Sequence, residues 1–239
     1  MHYSIAIVGS SSAIGHALAE HISNTLPDVA LHTFSRQSFT PLKENWRHYF
    51  VDYIDESSLA DAAKRATEKE KFDLIVVTTG ILHNADIQPE KSMRDLNAEH
   101  FSHIISVNTI VPALIAKHFL PHLTKERRAV FAALSARVGS LSDNKTGGWH
   151  AYRASKVALN MLIKNFAIEM RRTHKQAIIA GLHPGTVDSP LSKPFQAHVP
   201  KDKLFTPAFS AERLFHVITQ LKTENSGHCF AWDGKEIEP

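Results

Sequence analysis

A tyrosine and a lysine stand four residues apart in the stretch "GGWHAYRASKVALN", residues 147–160. The run has helical apolar spacing, so the phenol of Tyr152 and the ammonium of Lys156 share one face, one turn apart. Such a pair can move a proton. A free phenol has a pKa of about 10, and a nearby positive charge stabilises the phenolate and brings that value down. The spacing alone does not decide, because Tyr-x-x-x-Lys also arises by chance on solvated helix edges. The elements around the pair must say what it faces.

Strand-like and helix-like segments alternate along the 239 residues. "SIAIVG" (4–9), "VALHTFS" (29–35), "HYFVD" (48–52), "FDLIVVTTG" (72–80), "AVFAALS" (129–135), "AIIAGLHP" (177–184) and "HCFAWDG" (228–234) read as strands. Helical spacing covers 13–25, 56–70, roughly 95–120 with Pro112 as a kink or a fresh start, the Tyr152 helix, and 210–222. Continuous apolar strands alternating with helices predict an α/β fold, a doubly wound and mostly parallel Rossmann-like sheet with helices on both faces. No repeat or linker divides residues 1–239, which read as a single domain.

Composition narrows the partners. The chain is 43% hydrophobic and 21% charged, enough for a full core without disulfides or structural metals. Its only cysteine, Cys229, excludes an internal disulfide and fits a reducing compartment. The N-terminal "MHYSIAIVGSSSAIG" has no basic leader, and no segment approaches an apolar membrane span; the expectation is a cytoplasmic protein without a membrane partner. The net charge of +3 is scattered, with only "KERR" (125–128) and "RR" (171–172) clustered, so no nucleic-acid partner is expected. Sixteen histidines form no metal-ligand pattern; His118 and His122 are separated by the helix breaker Pro121, and no metal is expected.

Ligands of doubly wound sheets bind beyond the carboxyl ends of the strands. The first strand ends in "GSSSAIG" (9–15), a turn that would aim backbone N–H groups and a helix N-terminus at a phosphate. Ala13 takes the middle of the three expected glycines, tolerable at negative φ; an ordinary serine-rich turn is the other reading. The second strand ends in Arg36, where an acidic residue would hold an adenosine ribose. A guanidinium there suits a 2′-phosphate and favours NADP over NAD; a plain surface arginine is the alternative. Asp52 is placed either to contact the adenine or to cap the helix near Glu56.

With these strand ends aligned, the chain resembles the short-chain dehydrogenase/reductase family over nearly its whole length. The matching pieces are "GSSSAIG", "VD" (51–52), "TTG" (78–80), "VN" (107–108), "YRASK" (152–156) and "HPGTV" (183–187). The run from Leu134 to Asn160 is similar to the sniffer/C-factor-type branch, which includes carbonyl reductases. The resemblance implies NADP(H) as cofactor and a small carbonyl or alcohol substrate, with Tyr152 as general acid. Lys156 would lower the phenol's pKa and hold the nicotinamide ribose, and Asn108 would support a water leading to bulk. It further implies Gly9, Ser11, Ile14, Gly15, Arg36, Asp52, Thr79, Gly80, Pro184, Gly185 and Val187 as cofactor contacts, with Ser189 where a threonine usually stands.

One departure bears on the chemistry. The family carries a serine pair after the fifth strand, the second holding the substrate oxygen; here the pair is Ser135-Ala136. Ser135 could serve if the strand end bulges by one residue, since neighbouring side chains point to opposite faces. Ser140 and Ser142 are weaker substitutes. The Tyr152 helix is apolar on nearly all sides, which predicts a homodimer or homotetramer, with cover by the C-terminal segment as the alternative. Residues 189–209 read as a substrate loop, with Trp149 as a pocket wall or a loop anchor. The two functions to weigh are an NADPH-dependent carbonyl reductase and a catalytically weak NADP(H)-binding sensor or signalling module.

Overall fold

The computed structural model describes residues 2–38 and 43–239. Its elements follow the alternation of the sequence: β1 (Tyr3–Val8), α1 (Ala13–Thr25), β2 (Val29–Ser35), β3 (Trp46–Phe50), α2 (Glu56–Ala66), β4 (Leu74–Val77), α3 (Ala98–Ile105), α4 (Val111–Phe119), β5 (Ala129–Leu134), α5 (His150–Met170), β6 (Ala177–His183), β7 (Thr186–Val187), β8 (Leu204–Phe205), α6 (Pro207–Gln220) and β9 (His228–Ala231). Seven strands form one sheet in the order β3-β2-β1-β4-β5-β6-β9, every pair parallel. The strand order reverses between β1 and β4, so the crevice that binds ligands in such sheets opens above their carboxyl ends.

Alternation along each strand feeds two cores. Ile5, Ile7, Leu74, Val76, Val130 and Ile178 face α1 and α6, while Ala6, Val8, Ile75, Phe131 and Ile179 face α2, α4 and α5. Both faces are covered, which is why β4 is buried at all four residues. β3 lies two residues earlier than the expected 48–52, because the sheet register is set by Trp46, buried against the α1 side and paired with Leu31.

Between α3 and α4 the helix does not simply kink at Pro112. A π turn, Ser106–Ile110, joins the two and carries Asn108, and Pro112 follows it as the second residue of α4. The continuous helical run Ala98–His122 is long and apolar enough to cross a membrane by those two measures, contrary to the sequence expectation; half of its most apolar stretch is buried inside the domain, where α4 packs on α2 and α3 on α5.

The outer edge of β9 is closed by the chain itself: Ile237 N–H donates to the Cys229 carbonyl at 2.8 Å and Ala231 N–H to that of Lys235 at 2.8 Å. That segment does not shield the outer face of α5, where Met161 is 60% and Ile168 54% exposed.

Candidate active site

The turn after β1 is shaped by glycines. Gly9 has φ +95°, and a Cβ there would meet the Thr78 hydroxyl at 2.7 Å; a Cβ on Gly15 would meet the Gly9 carbonyl at 2.5 Å. Ala13 is the first residue of α1, and Trp149 is the only non-glycine residue at positive φ among those described, so the alanine sits without strain. Ser12 caps α1 by accepting the Gly15 N–H at 3.0 Å. The sequence reading missed Thr78, which ties β4 to this turn. Its hydroxyl donates to the Gly9 carbonyl at 2.9 Å and receives the Ser12 hydroxyl at 3.2 Å. It thus fastens the end of β4 to the turn after β1.

A cavity of about 440 Å³ opens over this turn. Ser11 and Ile14 line one side, Thr79 and Gly80 the next, and Pro184, Gly185 and Val187 the far side. Ser135, Ala136, Trp149, Tyr152, Lys156 and Ser189 complete it. Gly9, Gly15 and Asn108 support the wall from behind. Arg36 and Asp52 lie outside the cavity, at the ends of β2 and β3. The Arg36 guanidinium stands over the Tyr53 ring at 5.6 Å from its centroid. The capping alternative for Asp52 is overturned: Asp55 caps α2 by accepting the Ser57 N–H at 2.9 Å, and Asp52 instead accepts the Ile54 N–H at 3.1 Å in a local turn.

Tyr152 and Lys156 do share one face of α5, with the Lys156 nitrogen 5.7 Å from the Tyr152 ring centroid. The ammonium is 97% withdrawn from water and donates to the Leu134 carbonyl at 2.9 Å. Burial dominates both groups in the polypeptide alone. It pushes the phenol up to about 12 and the ammonium down to about 8. The expected lowering of the phenol by its neighbour is therefore not what the protein atoms produce.

Asn108 is fully buried and pinned from three directions. Its Nδ2 donates to the Ile81 carbonyl at 2.8 Å and the Ser155 hydroxyl at 3.0 Å, and its Oδ1 accepts the Ile81 N–H at 2.8 Å. It thereby locks the loop after β4 to α5 one turn from Tyr152. A Cβ on Gly80 would come within 3.6 Å of the Lys156 nitrogen, so glycine leaves the approach to that amine open.

Ser135 lines the cavity, but without the bulge its proposed role required. Its N–H continues the ladder to the Leu182 carbonyl at 2.8 Å, and its hydroxyl donates to Asn160 Oδ1 at 2.6 Å. Ser140 and Ser142 do not reach the cavity; their hydroxyls turn to the Pro239 carbonyl at 3.4 and 2.6 Å.

The loop after β6 is held at both ends by an unforeseen two-stranded sheet, β7 with β8. Between them, His83 Nε2 faces the carbonyls of Pro190 and Leu191 at 3.1 Å each, and Phe195 packs edge-on to Trp149 at 5.2 Å. Trp149 in turn meets the Tyr152 ring at 6.2 Å. Trp149 holds a left-handed backbone with φ +50°, fixed by its N–H to the Glu90 carbonyl at 2.6 Å. A non-glycine residue in that conformation costs about 1–2 kcal/mol. Here the strain turns an aromatic ring into the cavity, so Trp149 is wall and anchor at once. Among the described residues no three potential metal ligands come together; His118 pairs with Glu56 at 2.8 Å and His122 with Thr67 at 2.7 Å.

The turn after β1 thus shares one cavity with Tyr152 and Lys156. Residues 4–200 match the family "short chain dehydrogenase", and the chain belongs to it. It is 28% identical to the C-signal protein of Myxococcus xanthus over 146 residues, 61% of this chain and 82% of the relative. Its fold matches the carbonyl reductase Sniffer of D. melanogaster with a TM-score of 0.86 at 20% identity, over the full length of both chains. An NADPH-bound carbonyl reductase from chicken fatty liver gives 0.82 at 20% identity, again over both full lengths. The chain is thus an oxidoreductase-family protein.

The residues fit a nicotinamide dinucleotide. Gly9 and Gly15 let the turn after β1 pack tightly on Thr78, and α1 offers its N-terminus toward the cavity that Ser11 and Ile14 line. The Thr79 hydroxyl lies buried in the cavity wall with no partner among the described residues.

Proposed function

We propose that this chain is an NADP(H)-dependent oxidoreductase that reduces an aldehyde or ketone to an alcohol, and runs in reverse with the alcohol. The observation that carries the reading is that Tyr152 and Lys156, on one face of α5, line the same cavity as Ser11–Ile14 of the turn after β1 and Pro184–Val187. Gly9, Ser11, Ile14, Gly15, Thr79, Gly80, Pro184, Gly185 and Val187 would hold the dinucleotide, with Asp52 near the adenine and Arg36 on the 2′-phosphate. The NADPH in the chicken reductase supports the same cofactor. When bound, the nicotinamide supplies the hydride.

The protein supplies the proton. A phenol held near 12 is protonated at neutral pH, so Tyr152 starts as an acid able to donate to the carbonyl oxygen. The phenolate left behind is a strong base. Lys156, whose ammonium releases its proton at about 8, is matched to refill it. Asn108 keeps α5 and the Ile81 loop in register for that exchange, with a water completing the path to bulk. Ser135, tied to Asn160, serves this reading as a positioning residue. Residues 189–209 form the substrate loop, and Trp149 and Phe195 would close an apolar wall over the carbonyl compound.

The exposed Met161 and Ile168 on α5 support a homodimer or homotetramer. The proposed setting is the cytoplasm, without nucleic-acid or membrane partners. The test is NADPH oxidation against a panel of small carbonyls, with Tyr152→Phe beside the wild type. Turnover that disappears in the variant while NADPH binding persists supports the enzyme. Tight NADPH binding with no turnover on any carbonyl would replace it with the sensor reading.

A further inference from the structure

The loss of a hydroxyl at position 136 leaves a carbonyl oxygen in this cavity one hydrogen bond short, and the structure offers a different donor. Leu134 pairs with Leu182 across β5 and β6, and the Ser135 N–H reaches the Leu182 carbonyl, so the next residues along the ladder, Ser135 and His183, lie side by side. Adjacent strands are about 4.8 Å apart, which puts the imidazole of His183 within a side chain's reach of the space over Ala136. Both residues line the same cavity as Tyr152.

The other groups at these two strand ends are spent. Ser135 donates to Asn160, Arg137 is at the exposed rim in an ion pair with Asp143, and Leu134, Ala136 and Val138 have no polar atoms in their side chains. His183, half-buried at the end of β6, supplies the one imidazole at these two strand ends. Its Nδ1 is closed off from solvent and has no hydrogen-bond partner among the described residues, which leaves Nε2 as the ring nitrogen able to meet a ligand.

We propose that His183 makes the substrate-oxygen contact that Ala136 cannot, donating a hydrogen bond from Nε2 to the carbonyl oxygen that Tyr152 protonates. This rests on the reductase reading. The imidazole gives up no proton: Tyr152 transfers its own to the oxygen, and His183 keeps its N–H and stabilises the negative charge that builds there. Burial, aided by the nearby Arg137 charge and opposed by Asp233, holds the ring down at about 4, so it is neutral at working pH. With Nδ1 enclosed, the neutral tautomer that leaves only a lone pair there carries its hydrogen on Nε2. A neutral imidazole is a competent electrophile toward a carbonyl oxygen in other active sites.

The experiment measures kcat/KM for NADPH-dependent carbonyl reduction in the wild type, His183→Ala, His183→Gln, Ala136→Ser and the Ala136→Ser/His183→Ala double variant. NADPH affinity by fluorescence and thermal melting are followed in each. His183→Ala should lower kcat/KM by about 10²–10³, the loss typical of a deleted oxyanion donor, with NADPH affinity held. His183→Gln, which keeps an N–H at similar reach, should recover part of that loss. Ala136→Ser should raise the His183→Ala variant at least about tenfold, and raise the wild type by much less, because the two donors serve one oxygen and their effects are not additive. A loss in His183→Ala below about threefold, or one of equal size with and without the serine, would overturn the proposal. A wild type that reduces no carbonyl would bring down the reductase reading itself, a result visible before any His183 variant is made.

Discussion

Replacing Lys156 by methionine should make the fold more tolerant of neutral pH while removing the chemistry. The ammonium is buried, and its proton leaves at about 8 rather than the ordinary 10.5. Between those values the unfolded chain binds more protons than the folded one, so this group makes unfolding free energy rise with pH. The gain is complete above the unfolded value and is lost as pH falls through the folded one. One pKa unit is about 1.4 kcal/mol; with these two values the gain from about pH 7 to about pH 10 comes to about 2.5 kcal/mol. Methionine has similar length and no charge, so the variant should lack this component. Urea unfolding of both proteins at the two pH values, taken as the difference of differences, isolates it from every other titrating group. The absolute stability of the variant is less informative, since methionine also abandons the Leu134 carbonyl. Equal pH dependence in the two proteins would refute the claim that the amine is held charged against its burial.

The same pair sets a pH dependence for turnover: carbonyl reduction should decline as pH rises through about 8, where Lys156 loses the proton it returns to Tyr152, and a flat profile to pH 10 would contradict it. Arg36→Ala should weaken NADPH at least about tenfold while leaving NADH nearly unchanged, read by equilibrium fluorescence; equal losses would move the 2′-phosphate elsewhere. Gly9→Ala forces a Cβ to within 2.7 Å of the Thr78 hydroxyl in a left-handed backbone. It should raise the dissociation constant for NADPH by an order of magnitude or more, and unchanged affinity would mean the turn does not face the phosphates. Light scattering at micromolar concentration should give a dimer or tetramer, and Met161→Lys with Ile168→Lys should shift it toward monomer; a monomeric wild type ends that expectation.

The doubly wound sheet was legible because both faces of the strands are covered, which leaves continuous apolar runs that periodicity detects directly. The tight turn after β1 was legible for a different reason: glycines are required where a Cβ has no room, as at Gly9 and Gly15. What escaped were features set by partners distant in sequence. β3 begins at Trp46 because Leu31 and the α1 core fix its register, and no local signal in 46–50 announces that. Asp52 and Asp55 are equivalent as caps until the backbone shows which one meets the Ser57 N–H. Thr78 carries no signal of its own in "TTG", because its partners, Gly9 and Ser12, lie nearly seventy residues away. The commitment of Ser135 to Asn160 joins residues twenty-five apart in sequence and depends on the rotation of α5. The unpaired ring of His183 depends on burial that no sequence window reports.

The π turn at Ser106–Ile110 has a consequence for how this chain tolerates insertions and deletions. A π turn is an α-helix with one residue too many, and removing that residue would rotate everything before it by about 100° about the helix axis. A one-codon deletion there would yield a straighter helix with better backbone bonding, and by local measures a better one. It would also carry Asn108 off the Ile81 main chain and Ser155, uncoupling the loop after β4 from α5. The length of this segment is thus a constraint of phase, and a gap placed within it during alignment with relatives would erase the feature that aims the asparagine.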